Sequence, residues 1–159
     1  MHTFEEVERI KALADEGNPE ALFILGTLYL DGAGLPRSMD DAFGCFREAA
    51  IRGETNSAFN LGLAAALGED MPQSWSEASY WYSMAANSGH PKAMVQLGIL
   101  YSTGNGVPQS YLDAASWYAK AADLGDRDGM MLLADLFEDG LGVPQSHERA
   151  EEIRRMAEE

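Results

Sequence analysis

The chain has 159 residues and a mass of 17.3 kDa, with 26 acidic against 11 basic side chains, a formal charge of -15 and a sequence pI near 4.4. Such a balance repels phosphate backbones and anionic lipid, which argues against nucleic acid and acidic membranes and for basic partners that arrive at a salt-sensitive rate. The single cysteine, Cys45, permits no intrachain disulfide, no apolar run approaches membrane-spanning length, and the N-terminus is acidic and amphipathic, with neither a basic nor an apolar targeting region. The expected location is the cytoplasm.

Taken in chain order, the first predicted element runs from Phe4 to Glu16 and is closed by Gly17. Everything after it repeats at a step of 36 residues: Leu25-Gly26, Leu61-Gly62 and Leu97-Gly98 are answered by Leu133-Ala134, and Pro36, Pro72, Pro108 and Pro144 keep the step. A period of that size predicts stacked helical hairpins, each burying its apolar face only against its neighbours. The leading helix has the register of a second hairpin helix, so residues 1–17 form half a repeat. Four full repeats follow at 18–53, 54–89, 90–125 and 126–159, giving nine helices in one expected all-α domain, an α-solenoid over 1–159.

Each repeat opens with an amphipathic helix A. Asn18 before Pro19 and His90 before Pro91 have N-cap chemistry, and Gly32, Gly68, Gly104 and Gly140 stand where a left-handed residue ends the helix. A second glycine follows in three loops (Gly34, Gly106, Gly142), with Asp70 in its place in the other. Serine and an acid three residues on (Ser38 and Asp41, Ser74 and Glu77, Ser110 and Asp113) predict capping boxes at the start of helix B, while Arg149 weakens the fourth. Helix B then runs to paired alanines and ends at Gly53, Gly89 or Gly125. A small residue in mid-helix A (Gly26, Gly62, Gly98, Ala134) costs about 1 kcal/mol as glycine, so its register requires close approach to helix B. Tyr29, Tyr101 and Phe137, with the Trp81-Tyr82 and Trp117-Tyr118 pairs, fill the space between hairpins. Ala65 breaks that aromatic register, and Trp75 is expected to swing into the space it leaves.

Charge is uneven along the repeats. Residues 1–53 hold ten acids and five bases, 54–89 four and none, 90–125 two and two, and 126–159 ten and four. The terminal helix B has Ile153-Arg154 where earlier repeats have Trp-Tyr, and reads as a solvent-facing cap. Apparent chemistry dissolves on inspection. Gly-x-Gly recurs in loop after loop as a helix terminator should, with no phosphate-loop lysine. His2, His90 and His147 lack metal-ligand spacing, and Asp126-Arg127-Asp128-Gly129 has Phe137 where a calcium loop needs its bidentate acid. Cys45 stands at the register of Trp81 and Trp117 and reads as a small buried hydrophobe. Of the paired carboxylates, only Glu138-Asp139, at a helix C-terminus, opposes the dipole. No catalytic residues, metal or cofactor are expected, and the chain reads as no enzyme.

In the third repeat Ala93, Leu97, Gly98, Tyr101, Gly104, Gly106, Val107, Ala114, Trp117, Tyr118, Ala121, Ala122 and Gly125 together resemble the Sel1-like repeat, a relative of the tetratricopeptide repeat. The likeness covers residues 18–159. It implies a protein-binding role as adaptor, scaffold or regulator. Secreted cysteine-rich members are linked to β-lactam binding, but their paired cysteines are missing here. Small size and acidity also suit an immunity-type inhibitor of a toxin or nuclease, as in some bacterial relatives, and the reading from another class is a structural role through self-assembly; the expected state is a monomer or a weak homodimer.

If the hairpins stack as in tetratricopeptide proteins, helix A lines a concave face. Alignment on Leu-Gly then places Phe23, Phe59, Val95 and Met131 in one row and Thr27, Leu63, Ile99 and Asp135 in the next, with Leu30, Asn60, Gln96, Ser102 and Glu138 beside them. The first row is apolar throughout, which admits both an exposed groove and an enlarged core. An exposed strip with acid at one end suits an amphipathic segment of a basic partner.

Overall fold

A computed structural model describes residues 3–68 and 71–159, so the expectations for His2, Glu69 and Asp70 lie outside the described residues. Among the described residues there are nine α-helices and no strand: α1 (Phe4–Asp15), α2 (Pro19–Asp31), α3 (Met39–Ile51), α4 (Thr55–Leu67), α5 (Trp75–Asn87), α6 (Pro91–Thr103), α7 (Tyr111–Asp123), α8 (Arg127–Asp139) and α9 (His147–Met156). They form two compact units, Met1–Gln73 with α1 to α4 and Ser74–Glu159 with α5 to α9. The division falls between the two helices of the second repeat.

Side-chain chemistry sets the helix ends. Asn18, Glu54, His90 and Asp126 cap the A helices, and Ser38, Ser74, Ser110 and Ser146 cap the B helices, each accepting a backbone N–H within the first turn. All four A helices end on glycines with φ between 66° and 74°. The expected capping boxes are only half made at Ser38 and Ser110. There the N-cap N–H donates to a carbonyl of helix A, Ser38 to Tyr29 at 3.0 Å and Ser110 to Tyr101 at 2.9 Å, and Ser146 does the same to Phe137 at 2.8 Å. That bond ties the start of helix B to the end of helix A. The reciprocal box is found at Thr3 and Glu6 instead.

A side-chain staple reinforces the turn one residue earlier. Arg37, Gln73, Gln109 and Gln145 donate to the carbonyls of Leu30, Ala66, Ser102 and Glu138 at 3.1, 2.9, 2.8 and 2.9 Å, occupying acceptors that the helix end leaves unpaired. The second loop glycines serve packing as well as turning. A Cβ at Gly106 would collide with the Trp75 carbonyl and one at Gly142 with the Tyr111 backbone, and both glycines have positive φ. Each of these loop tips therefore rests on the first turn of the preceding helix B.

In the first unit α2 packs between α1 and α3, and α3 also meets α4. Its core gathers Ala14, Ala21, Leu22, Leu25 and Ala49, with Tyr29 and the half-buried Cys45 against it. Burial, helped by nearby Asp41, pushes the Cys45 thiol up, so it stays protonated and inert at neutral pH. In the second unit α6 packs between α5 and α7, and α8 between α7 and α9. Ala114, Ala115, Tyr118, Leu133, Ala134, Leu136, Ala150 and Ile153 form its core. Ala65 is fully buried, and Trp75 keeps 37% of its surface exposed.

The mid-helix glycines do what their register requires. A Cβ on Gly26 would stand 2.7 Å from Phe46 Cε1, and one on Gly98 would collide with the Tyr118 ring. An aromatic side chain of helix B thus lies directly on bare helix A backbone. In the last repeat the same two positions hold Ala134 and Arg154. Arg154 donates to Asp135 at 3.0 Å and to Glu138 at 3.2 Å, and His147 Nδ1 lies 2.6 Å from Glu138 Oε1. Glu138 at the C-terminus of α8 is therefore compensated against the helix dipole by two partners.

Two outcomes test this packing. Gly98→Ala gains about 1 kcal/mol of helix propensity but overpacks the Tyr118 contact by about 1–3 kcal/mol, so chemical denaturation should show net destabilisation, whereas Gly44→Ala, with open space around it, should stabilise. The hydrogen bond with His147, followed by that with Arg154, holds the Glu138 carboxyl below the usual carboxylate range. A depressed folded-state pKa stabilises above the unfolded value of about 4.3 and is lost as pH falls through the folded value. Thermal melts of Glu138→Gln should therefore fall below the parent by a few degrees at most near neutrality and converge with it in strong acid.

Candidate functional site

The sequence-predicted rows occupy several environments. Phe23 is half-buried and tilted against Phe46, ring centroids 5.9 Å apart, so its side chain serves the first core. Phe59 is half-buried, Val95 is 5% exposed and Met131 is 38% exposed. Along the next row, half-buried Thr27 donates its hydroxyl to the Phe23 carbonyl at 3.0 Å, Leu63 is 37% exposed, Ile99 packs against the second core, and exposed Asp135 pairs with Arg154. Leu30, Asn60, Gln96, Ser102 and Glu138 are all half-buried. Ser102 donates its hydroxyl to the Ile99 carbonyl at 2.9 Å.

Three of these residues come together in the first unit. Leu30 of α2 and Asn60 and Leu63 of α4 line a groove of about 240 Å³ with Met39, Phe43 and Phe46 of α3 and Ala64 and Leu67 of α4. Its α4 wall, 60, 63, 64 and 67, is one helical stripe. Phe46 is the floor, fixed from behind by Gly26, and Leu63 and Leu67 form the open rim at 37% and 55% exposure. Met39, Phe43, Phe46, Ala64 and Leu67 were not among the residues expected here. Position 67 is apolar in this repeat alone, its equivalents being Asp31, Thr103 and Asp139, so no recurrent pattern marks it. Exposed Asp31 and Asp40 adjoin the lining residues Leu30 and Met39 in sequence, and the first unit as a whole has thirteen acids against five bases.

Such a site can bind but has little to catalyse with. Its only polar side chain is Asn60. Among the described residues no three His, Cys, Asp or Glu side chains are placed to hold a metal ion, and no helix is long and apolar enough to cross a membrane.

The Sel1 repeat model matches residues 19–54, 55–90, 91–126 and 127–152, each match starting one residue after the repeat expected above and the last ending at 152. Among solved structures, a protective antigen of uropathogenic Escherichia coli strains that displays an SLR fold, c5321, is 33% identical with a TM-score of 0.89, over 96% of this chain and 32% of that chain. A Sel1 repeat protein from Oxalobacter formigenes is 27% identical with a TM-score of 0.90, over 98% of this chain and 64% of that one. The chain spans less than two thirds of the length of either protein. Cysteine rich protein B of Helicobacter pylori, 19% identical with a TM-score of 0.61 over 80% of this chain and 96% of that one, shares the fold. No curated protein matches the chain. Four matched repeats spanning most of its length place the chain in the Sel1 repeat family, all-α repeat solenoids that generally act as protein–protein interaction modules and typically as non-catalytic scaffolds.

Proposed function

We propose that the chain binds a segment of a basic partner protein on the helix A side of its hairpins, with the groove of the first unit as the anchor. The observation that carries this reading is the exposed apolar rim of Leu63 and Leu67 over a floor of Phe46 and Phe43, beside an acidic surface. An amphipathic helix or loop would bury its apolar side chains there while its lysines and arginines meet the surrounding carboxylates. Long-range attraction speeds and orients the encounter, and the apolar contact sets the residence time. Within the first unit Phe23, Thr27 and Phe59 share the helix A register of this groove; in the second unit the same register is held by Val95, Gln96, Ile99, Ser102 and Met131, with Asp135 and Glu138 as acidic members.

Exposure decides which substitutions test this. Ile99 packs on a core and Phe59 is half-buried, so their replacement mixes stability with binding. Leu63→Ser with Leu67→Ser removes rim side chains only. In a pull-down from native lysate, the double variant should lose at least about tenfold of the partner retained by the parent, with little change in Tm. Raising salt to about 1 M, where the Debye length is near 3 Å, should release the partner from the parent. Undiminished, salt-resistant capture by the double variant would refute the assignment.

A further inference from the structure

In the second unit, α7, α8 and α9 enclose a larger apolar groove of about 420 Å³. Leu133, Phe137 and Ile153 form its base, and two methionines, Met130 and Met156, stand along it. The repeat register explains why the space exists. Ile153 and Met156 are the 36-residue counterparts of Trp117 and Lys120. In the third repeat those two residues are a unit, the Lys120 ammonium standing 3.9 Å from the centroid of the Trp117 ring. The last repeat has exchanged the indole for a smaller aliphatic group and the cation for a thioether. The register positions that hold a ring and its cation in the third repeat thus hold neither in the last.

We propose that this groove is a docking site for one aromatic side chain, of tryptophan size, carried on a basic segment of a partner protein. A volume of this size is within the ~300–1,000 Å³ range of ligand pockets, and the two unbranched methionines can reshape around a ring. The electrostatic surroundings favour a cationic neighbour to that ring. Residues 126–159 hold ten acids and four bases, and Asp123 stands exposed at the mouth. The one lining cation, Arg149, is paired with Glu152 at 2.6 Å, which offsets its repulsion. The groove lies in the other unit from the one assigned above and shares no residue with it, so either assignment can fail alone.

The test follows the Met130 and Met156 methyl resonances of the full chain by NMR at low salt. The probes are three capped tripeptide amides: acetyl-Lys-Trp-Lys, acetyl-Glu-Trp-Glu and acetyl-Lys-Ala-Lys. Saturable shifts of both methyls with the first probe, at least about tenfold tighter than with the other two, are expected. Ile153→Trp restores the indole of the register and should abolish the shifts while raising Tm. Ser116→Phe, at an exposed lining position, should block the mouth and weaken binding even if the core variant folds poorly. The proposal is overturned if no saturable shift appears, if the acidic or alanine peptide binds as well as the first, or if the blocked variants bind like the parent. Methyl shifts that depend on protein concentration without any probe would assign the groove to a second copy of the chain and likewise overturn it.

Discussion

In the first and third repeats helix A meets an aromatic ring of helix B where it has no side chain. The aromatic rings of Phe46 and Tyr118 rest on Gly26 and Gly98 at distances no Cβ would tolerate, and this contact sets the spacing within the hairpin. Once the helices are that close, the N–H of Ser38 or Ser110 reaches a helix A carbonyl and the turn closes. The rings also become walls. Phe46, pressed from behind, presents its other edge as the floor of the first groove. A position that costs local helix stability thereby gives rigidity to a surface several residues away.

Much of this was legible in the sequence because it is local. Cap residues act within one turn and left-handed glycines act at one residue, so Asn18, His90, Ser110 and Gly104 declare their roles without tertiary information. The staple of Arg37, Gln73, Gln109 and Gln145 was missed because its acceptor lies seven residues back across a turn. The recurrence of glutamine at 73, 109 and 145 was the available signal. The predicted capping boxes at Ser38 and Ser110 erred for a related reason. The pattern identifies a donor and an acceptor that fit each other, while the fold offered the donor a closer partner in the carbonyls of Tyr29 and Tyr101.

The candidate surface was less legible than the fold. One apolar row, Phe23, Phe59, Val95 and Met131, contains a core residue, two half-buried rings and an exposed side chain, because exposure depends on what each neighbour contributes. The groove residues Met39 and Leu67 are invisible to repeat alignment since they differ from their counterparts. Departures from a repeat carry functional information that the repeated positions, committed to packing, cannot carry. The same holds at the C-terminal end, where Arg154 and Ile153 replace a Tyr and a Trp and turn a stacking face into a charged one with an open groove beside it.

Loop tips are ordinarily where a protein tolerates extra residues. The tips at Gly106 and Gly142 lie in van der Waals contact with the backbone of the preceding helix B, which makes them part of the packing. An insertion beside either glycine would lift the tip from that seat and loosen one repeat from the last. The length of such a chain is therefore free to change by whole hairpins added or removed, while the turns within them are held to a fixed count.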